Sequence, residues 1–484
     1  MFGRLMKDTA LYGLADFIFK ILAFFTFPIF AHLFSVNDYG IMSFALVVSG
    51  FVGMFLTLGM NNAIQRFYFD TETMATHRPH LVSTGYIVTT IWSLLLTFVF
   101  IGIAYLLRDY TLTKYQLPFS YLSLALLANI PTILLTYSTD VIRLHFKPIN
   151  FFVLSVFRNL AGILLAIVLV KYYNMGLYGY FLANVIGVAV FIPLGIYLTR
   201  NDCRLLFDKK IARKIIRFGY PYVFAGLAYW LFGSMDRWML GEYSTMEQAG
   251  IYSIAFKIGS IVLFINSAFG QAWSPVSIKM MTEHPNDYKI MFSRLFTYWF
   301  ALLVLIGSAT AFFAQEFLRF TTPRPYWIAS NTTIWVVIGL IFNGTTQLTA
   351  GGISISKKTK YFNYIAWFTA IINFLINYWL IPIWGSLGSA IATAITYLIL
   401  SGLYLYFSQK LHCLPLEKGK LVIIFILICP MVLLGMYLNT RDWHWSFVLF
   451  KAGYLVALLG GFVFFKIIDL SQIKRIVFKE KLKV

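Results

Sequence analysis

Uncharged apolar stretches of about eighteen or more residues recur from one end of the chain to the other, separated by short polar intervals. Wound as an α-helix rising about 1.5 Å per residue, such a stretch crosses a hydrocarbon layer about 30 Å thick. The apolarity is continuous rather than alternating, which predicts helices and not the period-two strands of a membrane barrel. The pattern places spans near 10–34, 41–64, 82–107, 118–138, 150–170, 177–199 and 219–241. It continues near 250–274, 295–314, 328–350, 361–383, 386–408, 421–438 and 447–466. The expectation is an all-α polytopic membrane protein of about fourteen transmembrane helices. The longest polar interval, Arg200 to Phe218, is about nineteen residues, which leaves no room for a soluble catalytic module.

Composition strengthens this reading. The 484 residues are 60% hydrophobic and 12% charged, where soluble domains run near a quarter charged, and mean hydropathy is +0.76. The net charge of +20 would suggest nucleic acid as partner in a soluble protein, but here its distribution points to topology. Placing the N-terminus in the cytoplasm puts 28 of the 39 basic residues in cytoplasmic segments. Thirteen of them run from Arg4 and Lys7 through Arg66, Arg78, Arg143 and Lys147 to the run Arg200–Arg217. The opposite loops hold only Arg108, Lys114, Lys171, Arg319, Arg324 and Arg441. The positive-inside bias therefore predicts both termini in the cytoplasm and an even number of spans. The opening Met1 to Lys7 leads into a segment too long for a cleavable signal, so the first helix is expected to be an uncleaved anchor. Cys203, Cys413 and Cys429 show no metal-ligand spacing.

The two halves repeat at an offset near 210 residues. Asp38-Tyr39-Gly40-Ile41-Met42-Ser43-Phe44-Ala45 opens the second span, and Gln248-Ala249-Gly250-Ile251-Tyr252-Ser253-Ile254-Ala255 opens the eighth. Glycine, isoleucine, serine and alanine match in register. Gly176-Leu177-Tyr178-Gly179 before the sixth span parallels Gly385-Ser386-Leu387-Gly388 before the twelfth. Six spans per repeat is an even number, so the halves share one orientation, as in transporters built from two parallel lobes. The expected organisation is an N-terminal lobe at 1–200, a basic linker at 201–218, a second lobe at 219–410, and two further helices with a basic tail at 411–484.

On these features the chain resembles the polysaccharide-export flippases, the O-antigen flippase family of the multidrug/oligosaccharidyl-lipid/polysaccharide superfamily, which is MATE-like. The resemblance rests on the six-six-two arrangement, the Gly-Ile-Tyr-Ser-Ile-Ala stretch at 250–255, Asp236-Arg237 near the outer end of the seventh span, and the glycine-rich openings. It implies a V-shaped, two-lobed transporter with a central cavity and no enzymatic activity. Its cargo would be an undecaprenyl-pyrophosphate-linked oligosaccharide, moved between leaflets of the bacterial inner membrane. Membrane lipids and the polymerase and glycosyltransferases of the same pathway are the partners it implies, with no nucleic acid and no cofactor. The energy source stays open between ion coupling and the membrane potential.

Five cations and two anions fall within predicted spans: Lys20, Arg158, Arg237, Lys257 and Lys451, against Asp16 and Asp236. A charge near the bilayer centre costs about 2.5–3.5 kcal/mol on insertion scales and normally faces a partner or a wet cavity. Asp16 and Lys20 stand four apart and share a helix face. Either they neutralise each other, or Asp16 holds Lys20 until an anion arrives. Asp236 and Arg237 are adjacent, so they point about 100° apart and pair poorly. Lys257, from the same side, lies at a depth similar to that of Arg237. Arginine offers a planar fork and lysine a point charge for the oxygens of a diphosphate. Arg158 is read as lining the inner cavity or snorkelling, and Arg66 as a positive-inside residue or a guide for the headgroup. Lys451 is expected to be an interfacial anchor and Asp140 a solvated loop charge. Asn61, Asn62 and Gln65, with Asn266 and Gln271, suit either sugar hydroxyls or interhelical hydrogen bonds.

Competing functions are a drug/cation antiporter of the same fold, a lipid II flippase, and a polyprenol-dependent glycosyltransferase or polymerase. The first normally needs buried carboxylates, which are outnumbered here by cations. The last needs a large or acidic outer loop, and every predicted outer loop is short. No Walker glycine loop, His/Glu metal set or nucleophilic serine context is present.

Overall fold

The computed structural model describes residues 18, 21–22, 24–69, 78–204, 206–283, 287–356, 358, 360–439 and 444–467, except for the side chains at 225, 228, 229, 232, 271, 272, 274, 275, 278, 279 and 282. Asp16 and Lys20 lie outside the described residues, and Gln271 is described by its backbone alone. Among the described residues every regular element is a helix, and eleven are long and apolar enough to cross a membrane. The helix Lys360–Leu411 runs 52 residues and breaks at Gly385, between the predicted spans 361–383 and 386–408. The helix Pro221–Tyr243 also forms. Its charged residues and tyrosines lower its hydropathy, and it stands outside the eleven. The first predicted span is described only in part, so the count of fourteen rests on the sequence.

The chain forms two compact units, Met1–Ser253 and Ile254–Val484. In the first, Ser35 caps the helix Val36–Thr57. Its hydroxyl accepts from Asp38 N at 3.1 Å and the Asp38 carboxylate accepts from Ser35 N at 2.9 Å, a capping box that satisfies two otherwise orphaned amides. Left-handed Leu58 and Gly59 (φ 48° and 63°) end this helix, and a short one, Met60–Phe67, follows. A Cβ on Gly59 would strike the carbonyl of Gly219, so two chain segments cross backbone to backbone there. Met60, Ala63, Ile64, Leu81, Val82, Tyr137, Val141 and Ile215 form a buried cluster beside that crossing. Deeper in the unit, side chains tie helices through backbone carbonyls. Ser49 Oγ donates to Ala125 O at 2.7 Å, Trp92 Nε1 to Phe55 O at 2.9 Å and Trp230 Nε1 to Val47 O at 3.1 Å. With no water in the hydrocarbon to compete, such bonds and small-residue packing replace the hydrophobic effect between helices.

In the second unit, Ala329–Thr349 packs along Lys360–Leu411 and Tyr288–Thr321. Small residues permit the close approach: a Cβ on Gly339 would lie 3.3 Å from the Ala394 backbone, and one on Gly352 would strike Ser408. Trp299 Nε1 donates to Gly344 O at 2.9 Å, and the Thr345 and Ser401 hydroxyls meet at 2.6 Å. The two glycines that open the repeat-related sixth and twelfth spans share a positive φ, +54° at both Gly176 and Gly385. Only glycine enters that region without strain.

Two expectations about charges are corrected. Lys451 is not an interfacial anchor: it is 1% exposed, and its ammonium donates to both carboxylate oxygens of Glu316, at 2.7 and 3.0 Å. Glu316 lies beyond the predicted end of its span at 314, but the helix continues to Thr321. Asp140 is not a solvated loop charge either. It sits within the helix Asn129–Leu144 at 6% exposure, with Arg143 Nη1 at 3.5 Å and the charge of Arg158 felt from the next helix.

Candidate functional site

A cavity of the first unit, mostly apolar in its lining but with several polar groups, opens between the helices Val36–Thr57, Asn129–Leu144 and Pro221–Tyr243 and measures about 340 Å³. Thr57, Asn61, Asn129, Thr132, Thr136 and Tyr222 supply its polar lining, and Gly50, Gly53 and Gly226 its open floor. Asn129, Thr132 and Thr136 recur at helical spacing and so share one face. Thr132 and Thr136 donate their protons backwards to Ala128 O and Thr132 O, both at 2.7 Å. Each hydroxyl oxygen keeps acceptor capacity after that donation. The Asn129 amide donates to Ser49 O and Oγ at 3.2 and 2.9 Å, which fixes the orientation of its head. Hydroxyl and amide groups of this kind, uncharged and interspersed with glycine, suit the edges and hydroxyls of a sugar better than they suit a bare anion.

Charge gathers elsewhere in the same unit. Asp236 is 6% exposed, and Tyr252 Oη donates to its carboxylate at 2.7 Å. Both residues stand eight positions from Ser244, one before and one after. The reversal at Ser244 and Thr245 therefore brings them opposite each other on antiparallel helices. Arg237 turns the other way, as adjacency on a helix requires. Its Nη1 donates to Gly233 O at 3.0 Å, and its guanidinium lies 5.9 Å from the Tyr252 ring centre. Tyr252 thus faces both charges. The partly buried Lys257 stands five residues further along the Tyr252 helix, within the residues of the second unit.

The remaining residues singled out in the sequence are dispersed. Arg158 is partly buried near Asp140, and its Nη1 has no hydrogen-bond partner. Arg66, Asn62 and Gln65 are exposed. In the second unit Asn266 is buried and its amide reaches Asn343 Oδ1 at 3.5 Å. Residues that sequence reasoning missed are Tyr252 as the partner of Asp236, the face Asn129/Thr132/Thr136, and Tyr222. The second carried a legible signal, a polar stripe on an otherwise apolar span. Among the described residues no group of three or more His, Cys, Asp or Glu is placed to hold a metal ion.

Outside the spans, one polar cluster binds the loop at 200–208 to the ends of neighbouring helices. Asp202 Oδ2 accepts from Tyr68 Oη and lies against His145 Nε2, both at 2.7 Å. Ser83 Oγ donates to Asp202 O at 3.1 Å and accepts from Arg204 N at 2.8 Å. Burial pushes the Asp202 carboxyl up, but the hydrogen bonds from His145 and Tyr68 and the charges of His145 and Arg78 outweigh it, leaving the carboxyl below its usual range.

Residues 5–281 match a family described as polysaccharide biosynthesis protein, and residues 221–379 match the MatE family. Among solved structures, the chain resembles a lipid II flippase, MurJ, in an inward closed conformation. The TM-score is 0.75 and identity 16%, covering 94% of this chain and 99% of that one. It also resembles a mutant of the Vibrio cholerae MATE transporter VcmN, with TM-score 0.52, 15% identity, and coverage of 84% and 96%. A multidrug resistance MATE family transporter in an inward-facing conformation gives TM-score 0.53, 15% identity, and coverage of 83% and 94%. No curated protein sequence matches. The fold is therefore that of MurJ and MATE transporters, in a multi-pass membrane protein.

Proposed function

The chain belongs to the polysaccharide biosynthesis protein family, and on that footing we propose that it flips an undecaprenyl-pyrophosphate-linked oligosaccharide across the bacterial inner membrane. The observation that carries this reading is a cavity in the first unit with hydroxyl and amide groups in its lining, together with the cations Arg237 and Lys257 on the helices that precede and follow Ser244. The cargo has two parts that resist lipid, a pyrophosphate and a glycan, and a prenyl tail that does not. Arg237 and Lys257 act on the pyrophosphate, with Lys20, Arg158 and Arg66 extending the positive path. Asp16 and Asp236 serve as their partners or as points of ion coupling. Asn61, Asn62, Gln65, Asn266 and Gln271 contact the glycan, and Asn129, Thr132 and Thr136 of the cavity lining join them. The lobes at 1–200 and 219–410 rock in alternating access, both termini facing the cytoplasm.

Charge reversal in the double variant Arg237→Glu, Lys257→Glu abolishes surface-glycan export while the protein still reaches the membrane. Unchanged surface glycan in that variant would sink the assignment. The likeness to MurJ over nearly the whole chain favours one second reading, a lipid II flippase. Growth of cells depleted of their own lipid II flippase and carrying this chain would support that reading. Failure to grow, with glycan export intact, supports the first.

A further inference from the structure

The helix Lys209–Gly219 divides into two faces. Ala212, Ile215 and Gly219 are buried, with Ile211 and Phe218 packed beside them against Met60–Phe67. At about 100° per residue, the five cations Lys209, Lys210, Arg213, Lys214 and Arg217 fall together on an arc of roughly 140° opposite, and all are exposed. The helix itself carries no acidic residue. The acids nearest in sequence are occupied: Asp208 caps the helix by accepting from Lys210 N and Ile211 N at 2.7 and 3.2 Å, and Asp202 is held by His145 and Tyr68. Among the described residues, Lys209, Arg213 and Arg217 make no ion pair, and the Lys214 ammonium lies 4.7 Å from the Phe67 ring centre. Arg66, next to Phe67, adds a further exposed cation, and exposed Phe207, Ile216 and Tyr220 flank the basic face. The helix runs directly into Pro221–Tyr243, so it stands where that helix leaves the bilayer.

A surface whose cations are interleaved with exposed rings and aliphatic groups, and which has no acid of its own, matches the boundary between headgroups and acyl chains. We propose that this helix, with Arg66, is a docking surface for the phosphodiester headgroups of anionic phospholipids. It anchors the junction between the sixth and seventh predicted spans to the leaflet on the side that the positive-inside bias makes cytoplasmic. The proposal does not depend on which glycolipid is moved.

The test uses the full chain in nanodiscs of phosphatidylglycerol and phosphatidylcholine in equal amounts. The protein is released with its retained lipids, which are then counted by native mass spectrometry. Wild type retains phosphatidylglycerol in preference to phosphatidylcholine. Stepwise Lys209→Gln, Lys210→Gln, Arg213→Gln and Arg217→Gln substitutions weaken the preference by about fivefold for each cation removed. The charge-conserving set Lys209→Arg, Lys210→Arg, Arg213→Lys and Arg217→Lys keeps it. So does a control set elsewhere, Lys410→Gln and Lys418→Gln. Unchanged melting in pure phosphatidylcholine discs confirms that each variant is folded, and the single substitutions carry the test if the fourfold variant is not. Equal retention of the two lipids by wild type overturns the proposal, as does a preference unmoved by the four substitutions. Displacement of phosphatidylglycerol by inorganic pyrophosphate also overturns it, because the surface would then belong to a free anion.

Discussion

Ser43 Oγ and Ser253 Oγ lie 2.7 Å apart, and the two serines are separated by 210 residues, the offset at which the halves of the sequence repeat. One turn earlier, Gly40 meets Gly250: a Cβ built on Gly250 would lie 3.0 Å from Gly40 N, and one on Gly40 3.1 Å from Gly250 N. Repeat mates therefore touch each other, which happens only where a local two-fold relation passes between the helix openings at Val36 and Met246. The shared Gly-Ile-x-Ser pattern is thus a packing surface matched to itself.

Gly250→Val or Gly40→Val forces side-chain atoms into the facing backbone and destabilises the protein by about 1–3 kcal/mol, as overpacking does elsewhere. The double variant Ser43→Ala, Ser253→Ala removes one interhelical hydrogen bond and costs only about 0.6 kcal/mol. Thermal melting in detergent separates the two. A glycine variant as stable as wild type would show that the contact yields.

Tyr252→Phe leaves the buried Asp236 carboxylate without its 2.7 Å hydrogen bond. A buried group stripped of a partner costs about 1–3 kcal/mol. Asp236→Asn keeps an acceptor for Tyr252 and loses less. Melting temperatures in the order wild type, Asp236→Asn, Tyr252→Phe are expected, and the reverse order would refute the pairing.

Lys451→Met strands Glu316 in the second unit and costs about 3–5 kcal/mol. Adding Glu316→Leu removes the orphaned charge and recovers most of the loss. A double variant no more stable than Lys451→Met would mean that the pair contributes through shape rather than charge.

The Asp202 carboxyl is held below its ordinary value of 3.8 in the fold, so its contribution is complete above that value and is lost as pH falls through the lower, folded one. His145, Tyr68 and Arg78 are the groups that face it. Hydrogen exchange at residues 201–204 is therefore expected to stay slow on acidification to about pH 4 and to quicken below it, once corrected for intrinsic rates. Asp202→Asn shows fast exchange throughout. Identical profiles for the two proteins would remove Asp202 from the cluster that holds this loop.

Helix positions were legible because a run of apolar residues has only one way to satisfy its backbone in lipid, and the glycines at 176 and 385 marked two span openings. The orientation of each helix was much less legible. A span that is apolar toward both lipid and neighbour shows no periodic contrast, so the buried side of Val36–Thr57 could not be told from its exposed side. Lys451 and Asp140 were misread for a related reason. A charge at the end of an apolar run looks like the end of the helix, whereas Asn129–Leu144 continues a turn beyond Asp140, and the partner of Lys451 lies 135 residues away in the chain. The Asn129, Thr132 and Thr136 face could have been found, since three polar residues on one stripe of an apolar helix stand out.

The Lys451–Glu316 pair has a consequence for how the chain is made. Glu316 emerges from the ribosome 135 residues before Lys451, an interval of roughly 7–27 s at about 5–20 residues per second. During that time its helix lacks the ammonium that holds both carboxylate oxygens in the folded unit. Insertion of the helix Trp445–Phe464 thus completes the wiring of a segment translated long before, and a chain truncated ahead of Trp445 would lack the lysine that grips both oxygens of Glu316.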